Sequence, residues 1–232
     1  MAPIHDAARD ADVEKLRRLL EEGVSPDMME EEHGEGYGEG GTPLNLLCFN
    51  QFGFNNSARP DRVACTKLLI EAGANLDATN HNASTALQYA ALNGDATIMS
   101  LLVKAGANVD AADDHGWTAL HQAATTTVDC VEVLLAAGAG LDARASAGWR
   151  PFDLALKHRS RRMWPLFLRA GAEIPPTDNT DPYIVRVKNA GGWKKYEQAH
   201  LARITSILAP TPLLPPELVR KVLEFWLHAG YY

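Results

Sequence analysis

A glycine–alanine pair recurs at Gly73-Ala74, Gly106-Ala107, Gly138-Ala139 and Gly171-Ala172, in steps of 33, 32 and 33 residues. Each pair follows a run of apolar residues at helical spacing, such as Val131, Val133, Leu134 and Leu135 ahead of Gly138. Glycine enters the left-handed conformation that ends a helix without steric cost. A fixed period of this length confines a chain to a stack of like helical units, none able to bury its apolar side alone. Gly23 reads as an earlier member of the series, but it stands 50 residues before Gly73, so the unit between them carries 17 additional residues.

Within one period, residues 114–143, Thr118 stands where a helix N-cap belongs, its hydroxyl able to accept an orphan amide of the first turn. Leu120, Ala123 and Ala124 follow at helical spacing, the alanines small enough for close approach of another helix. Thr118-Ala119-Leu120-His121-Gln122-Ala123 nearly spells T-P-L-H-x-A, and Thr42-Pro43-Leu44 repeats its opening. The chain therefore resembles an ankyrin-repeat protein. The resemblance implies an all-α fold: an ankyrin-repeat solenoid of helix-turn-helix units with short β-hairpin fingers, followed by a C-terminal two-helix extension. The repeat domain is expected over 1–174, with five repeats near 2–27, 42–77, 85–110, 118–142 and 150–174. Insertions fall near 28–41 and 49–61, and the helical extension over 175–232 is expected to cap repeat five.

The irregular parts are as informative as the regular ones. In the first repeat, the helix from Val13 to Glu22 is dressed with charge on several sides, as suits an end unit facing water. The first insertion contains Gly36-Tyr37-Gly38-Glu39-Gly40-Gly41, a literal G-x-G-x-x-G. It follows glutamates rather than a buried strand, so a solvated acidic loop is expected in place of a dinucleotide site. Glu30, Glu31, Glu32 and His33 are read the same way and not as metal ligands, because glycine-rich surroundings oppose fixed coordination. In the second insertion Phe49, Phe52 and Phe54 suggest an ordered loop whose rings are either tucked beneath it, the commoner arrangement on a monomer, or offered to a partner. The fifth repeat has Arg150 in place of the capping threonine and Pro165 inside its second helix, which that residue should break or shorten. Pro175-Pro176 and Asp181-Pro182 read as a linker, Trp193–Leu208 as an amphipathic helix, and Glu217–Ala229 as a second helix beyond a proline-rich link.

Composition narrows the function. No apolar run approaches the roughly 20 residues needed to cross a bilayer. The start lacks the basic and apolar regions of a secretory signal, and Cys48, Cys65 and Cys130 are few and unpatterned. A reducing compartment is expected, the cytoplasm with the nucleus also compatible, and the cysteines are read as small buried hydrophobes. No H-E-x-x-H, paired C-x-x-C, P-loop or G-x-S-x-G pattern appears, so neither an enzyme nor a cofactor or metal site is expected. Charge is polarised: residues 1–40 carry 12 acids and 4 bases, 41–143 carry 10 and 4, and 144–232 carry 7 and 14.

The resemblance implies a protein-protein interaction module, binding a protein or peptide through the inner-helix face and the finger tips. Carried onto this chain, the candidate contacts are Phe49, Asn50, His81, Tyr89, Leu92, Asn93, Asp113, His115, Trp117, Gln122, Thr125, Trp149, Lys157 and His158. The acidic majority points to a basic partner and away from nucleic acid; no membrane partner is expected, and a monomer is. Trp117 and Trp149 are either interface anchors or cover for the neighbouring finger. The alternative function is a substrate adaptor of a ubiquitin ligase, because Leu214-Pro215-Pro216-Glu217-Leu218-Val219 resembles the start of an F-box, and the order of helix, proline link and helix resembles a SOCS box.

Overall fold

The computed structural model describes residues 3–30, 40–49, 59–176 and 181–208, together with Lys221. The chain divides into two compact units, Met1–Leu154 and Ala155–Tyr232.

The first unit is a double row of helices. The short members are α1 (Pro3–Arg9), α3 (Pro43–Cys48), α5 (Ala86–Leu92) and α7 (Ala119–Ala123); the longer ones are α2 (Val13–Glu21), α4 (Arg59–Glu71), α6 (Ala96–Lys104) and α8 (Val128–Ala136). Each short helix packs on its following long helix and on the next short helix, and each long helix packs on the next long one. Alanines make the short row close-packed: Ala90, Ala91, Ala123 and Ala124 are wholly buried. Leu16, Leu69, Ile98, Met99, Leu102, Val131 and Leu134 fill the layer between the rows, each worth about 1.5–3 kcal/mol when removed from water. The expected left-handed terminators hold, with φ of 80° at Gly73, 99° at Gly106 and 82° at Gly138. Among the described residues the hairpin fingers show antiparallel bridges from Glu30 to Gly41, Thr79 to Thr85 and Ala112 to Thr118.

Local chemistry starts the helices where the sequence suggests. Thr42, Thr85 and Thr118 each form a capping box with the side chain three residues on. Asp12, Asp95 and Thr127 cap α2, α6 and α8, accepting from the amides of Lys15, Ile98 and Cys130. The matching position before α4 is Arg62. Because α4 begins earlier, at Arg59, that position lies inside the helix, where no cap is needed.

A last short helix, α9 (Pro151–Lys157), begins in the first unit and ends in the second. The second unit continues with α10 (Trp164–Ala170), α11 (Pro182–Asn189) and α12 (Trp193–Leu208). Pro165 lies in the first turn of α10, where a missing amide costs nothing, so it shortens that helix without kinking it. The expected linker is corrected: α11 occupies part of it. Asp181 accepts from the amide of Tyr183 at 2.9 Å and Pro182 opens the helix, so the Asp-Pro pair read as a breaker is a start signal. Helix α12 spans the expected residues. The expected helix at Glu217–Ala229, like the F-box-like stretch from Leu214, lies outside the described residues apart from Lys221. So do residues 31–39 of the first insertion, and Asn50, Phe52 and Phe54 of the second.

Aromatic rings bind the second unit together. Trp164 of α10 meets Tyr183 of α11 at 6.1 Å, and Tyr183 meets Trp193 and Tyr196 of α12 at 6.5 and 5.8 Å. Arg169 lies over the Trp193 ring at 5.9 Å and pairs with Glu197 at 3.3 Å. Trp164, Phe167, Ile184 and Val187 are buried to 1% exposure or less.

Candidate protein-binding face

Two ladders of hydrogen bonds set the geometry of the face. The first comes from one side chain in each short helix. His5 Nε2 meets the carbonyl of Met28 at 2.7 Å, and Asn45 Nδ2 donates to Ala78 at 3.0 Å. Gln88 Nε2 donates to the carbonyl of Trp117 at 2.6 Å, and His121 Nε2 contacts that of Trp149 at 3.0 Å. Each short helix thus grips the finger that follows it. The signal for Asn45, Gln88 and His121 is their common place three residues after Thr42, Thr85 and Thr118. Side-chain length differs, but an amide reaches the same carbonyls as an imidazole.

The second ladder was not read from the sequence. Asp27, Asp77 and Asp110 accept the backbone amides of Asn75, Asn108 and Gly140 at 2.7, 2.8 and 2.7 Å. Asn75 and Asn108 in turn accept the amides of Asp77 and Asp110. The signal was N-x-D directly after the glycine–alanine pair at Asn75-Leu76-Asp77 and Asn108-Val109-Asp110, with Ser25-Pro26-Asp27 in the same place after Gly23. Fingers are also stitched tip to tip, Asp114 N to the carbonyl of Asn82 and Ser146 N to that of His115.

On this frame Phe49, Leu92 and Thr125 share one register, seven residues beyond Thr42, Thr85 and Thr118. Since α3, α5 and α7 pack in that order, the three form a row at the ends of the short helices. Leu92 is 46% exposed, while Phe49 and Thr125 are half-buried. Phe49 sets its edge on the Tyr89 ring, 4.9 Å away. Tyr89 is itself buried, its hydroxyl accepting from Asn80 Nδ2 at 2.6 Å, and burial raises its pKa. It supports Phe49 from beneath. Asn93 is exposed yet donates to the carbonyl of Cys48 at 2.6 Å, locking the end of α3 to that of α5. Gln122 lies half-buried on α7.

The finger residues divide by how much each is used internally. Asp113 Oδ1 accepts the amides of His115 and Trp117, both at 2.9 Å, so that oxygen builds the turn. Trp117 is half-buried with its ring 5.7 Å from His121, whereas Trp149 is 37% exposed. His115 and His81 are exposed, the His81 ring lying against Gly40, where a side chain would collide with it. Lys157 and His158, exposed at the end of α9, belong to the second unit. Asn50 lies outside the described residues.

The interior holds chemistry of another kind. Arg62 and Asp95 are 5% and 4% exposed and meet at 3.3 Å, and Arg62 Nε and Nη2 donate to the carbonyl of Leu47 at 3.2 and 3.1 Å. One guanidinium thereby ties α4, the end of α3 and the cap of α6. Cys48, Cys65 and Cys130 are fully buried. Burial pushes the Cys48 thiol up to about 12 and the Cys65 thiol up to about 11, against the thiolate a nucleophile requires.

The family model for ankyrin repeats, described as three copies, matches residues 4–113 and 54–145, together more than half of the chain. No curated protein matches the chain significantly. The helix pairs, the threonine-capped motif and the ladder into each following finger agree with that match. The chain belongs to the ankyrin-repeat family.

Proposed function

We propose that this chain holds a protein or peptide partner along the row of Phe49, Leu92 and Thr125, between that row and the finger side chains His81, His115, Trp117 and Trp149. The family is one of protein-interaction modules, which supports the general reading. The observation that carries the particular site is the register of Phe49 and Leu92: apolar side chains at equivalent places on adjacent helices, Leu92 exposed and Phe49 half-buried over a buried Tyr89. Rigid aromatic and aliphatic anchors over a fixed frame are the usual centres of binding energy. The partner is basic, because residues 1–143 carry 22 acids against 8 bases. The fifth repeat, in this reading, is α9 with α10, departing from the pattern at Arg150 and Pro165, and α11 and α12 close it. The protein acts as a monomer in the cytoplasm or nucleus and does not engage nucleic acid.

The test is a binding series with a partner isolated on the full chain. Leu92→Ala and Trp149→Ala should each cost about 2 kcal/mol of affinity or more while leaving the melting temperature in place. The on-rate should fall as ionic strength rises, since exposed charges are screened beyond about 8 Å at physiological salt. Unchanged affinity in both variants would sink this site.

A further inference from the structure

The second unit consumes two of its carboxylates internally. Asp181 takes Arg161 at 2.6 Å and Glu197 takes Arg169 at 3.3 Å, and Glu173 is the third acid among its described residues. Among the described side chains of α11 and α12, the charged ones that face water are cationic. The exposed residues of α12 between positions 194 and 203 are Lys194, Lys195, Gln198, Ala199, Ala202 and Arg203, none of them an Asp or Glu. Helix α11 packs on α12 and adds exposed Val185 and Arg186. The half-buried His200 of α12 stacks on Tyr196 at 5.8 Å, and its pKa is lowered by burial first and then by the positive charges of Arg203 on its own helix and Arg186 on α11. Folding therefore gathers like charges from two helices, a repulsion that an anionic partner would relieve.

We propose that the α11–α12 face is a second docking surface, fitted to an acidic amphipathic helix of a partner protein. Ala199 and Ala202 of α12 and Val185 of α11 are exposed apolar side chains small enough for a helix to approach, and Arg186, Lys194, Lys195 and Arg203 supply positive charge on the same two packed helices. A nucleic acid fits less well. Trp193 is buried and Tyr196 half-buried, so the rings available for base stacking are spent inside the unit. The net charge of −7 also opposes a long phosphate polymer. The surface is independent of the groove, so failure of one reading leaves the other standing.

The probe is a labelled helical peptide of the length of α12, with alanines along one face bordered by glutamates, titrated against the full chain. The expected result is saturable binding that Arg186→Gln/Lys194→Gln/Lys195→Gln weakens about tenfold or more, while Arg17→Gln/Lys104→Gln in the first unit leaves it unchanged. Backbone amide shifts in the unaltered chain provide a measurement that does not depend on a variant folding, and they should move within residues 185–203. No binding, equal binding by the triple variant, shifts confined to the first unit, or tighter binding of a single-stranded oligonucleotide of equal charge would overturn the proposal.

Discussion

His121 shows how one residue couples a sequence motif to solution behaviour. With Nε2 facing the carbonyl of Trp149, that nitrogen must carry the proton, so Nδ1 accepts from the amide and hydroxyl of Thr118 at 3.1 and 2.9 Å. Only the neutral ring can do both. Burial lowers its pKa, outweighing the carbonyls of Trp149 and Ala143, which raise it. The folded state therefore binds the proton less readily than the unfolded chain, whose histidine titrates near about 6.5. Its contribution to stability is full above that value and declines as pH falls below it, until the folded value is reached. Gln88 performs the same task without a titrating group. Urea denaturation at pH 7.5 and 5.5 should show a smaller acid-side loss in His121→Gln than in the unaltered chain; equal losses would refute the assignment. Glycines differ in the same local way. At Gly116, φ is 71° and a side chain would meet the carbonyl oxygen of Arg144 at 2.9 Å, whereas Gly138, at 82°, has open space. Gly116→Ala should cost about 2 kcal/mol or more in denaturant titration and Gly138→Ala about 1 kcal/mol, the strain of the left-handed backbone alone.

At the scale of elements, the insertion in the second helix pair alters how its neighbours are held. Extending α4 backwards to Arg59 removes the need for a cap at position 62 and frees that site for a side chain that reaches the cap of the next long helix. Both charges are buried, so each depends on the other: Arg62→Met leaves Asp95 and the Leu47 carbonyl without their donor and should cost about 3–5 kcal/mol. Asp95→Ser in addition keeps a capping oxygen for Ile98 while removing the stranded charge, and should recover about 1 kcal/mol or more. A double-mutant cycle in urea measures the coupling, and additive losses would show that the pair does not act as one. None of this was legible beforehand. Arg62 reads as an ordinary charged residue until the helix boundary places it inward.

Over the whole molecule, the N-terminal and C-terminal parts carry opposite charge and two kinds of packing. The first unit is made of repeated contacts between like helices, while the second is an irregular aromatic cluster built on α10, α11 and α12. If α11 and α12 close the repeat array, Trp193→Ala should cost about 3–5 kcal/mol, and removing residues 190–232 should lower the melting temperature and expose dye-binding apolar surface around Trp164 and Phe167. A truncated chain that melts at the same temperature and stays soluble would refute the cap.

The period of Gly73, Gly106 and Gly138, the threonines three residues before Asn45, Gln88 and His121, and the alanines of the short helices were sufficient to predict the fold. Each acts through local backbone geometry or a fixed spacing, and such effects are visible in one dimension. The face was partly legible for the same reason: equal register placed Phe49, Leu92 and Thr125 together. Which of those positions stays open was decided by tertiary structure, because burial depends on what packs above a residue. That is why Tyr89 lies beneath Phe49 while Leu92 meets water. Helix α11 was missed because Asp-Pro can end one segment or start another, and only the packing of Tyr183, Ile184 and Val187 against their neighbours selects the second.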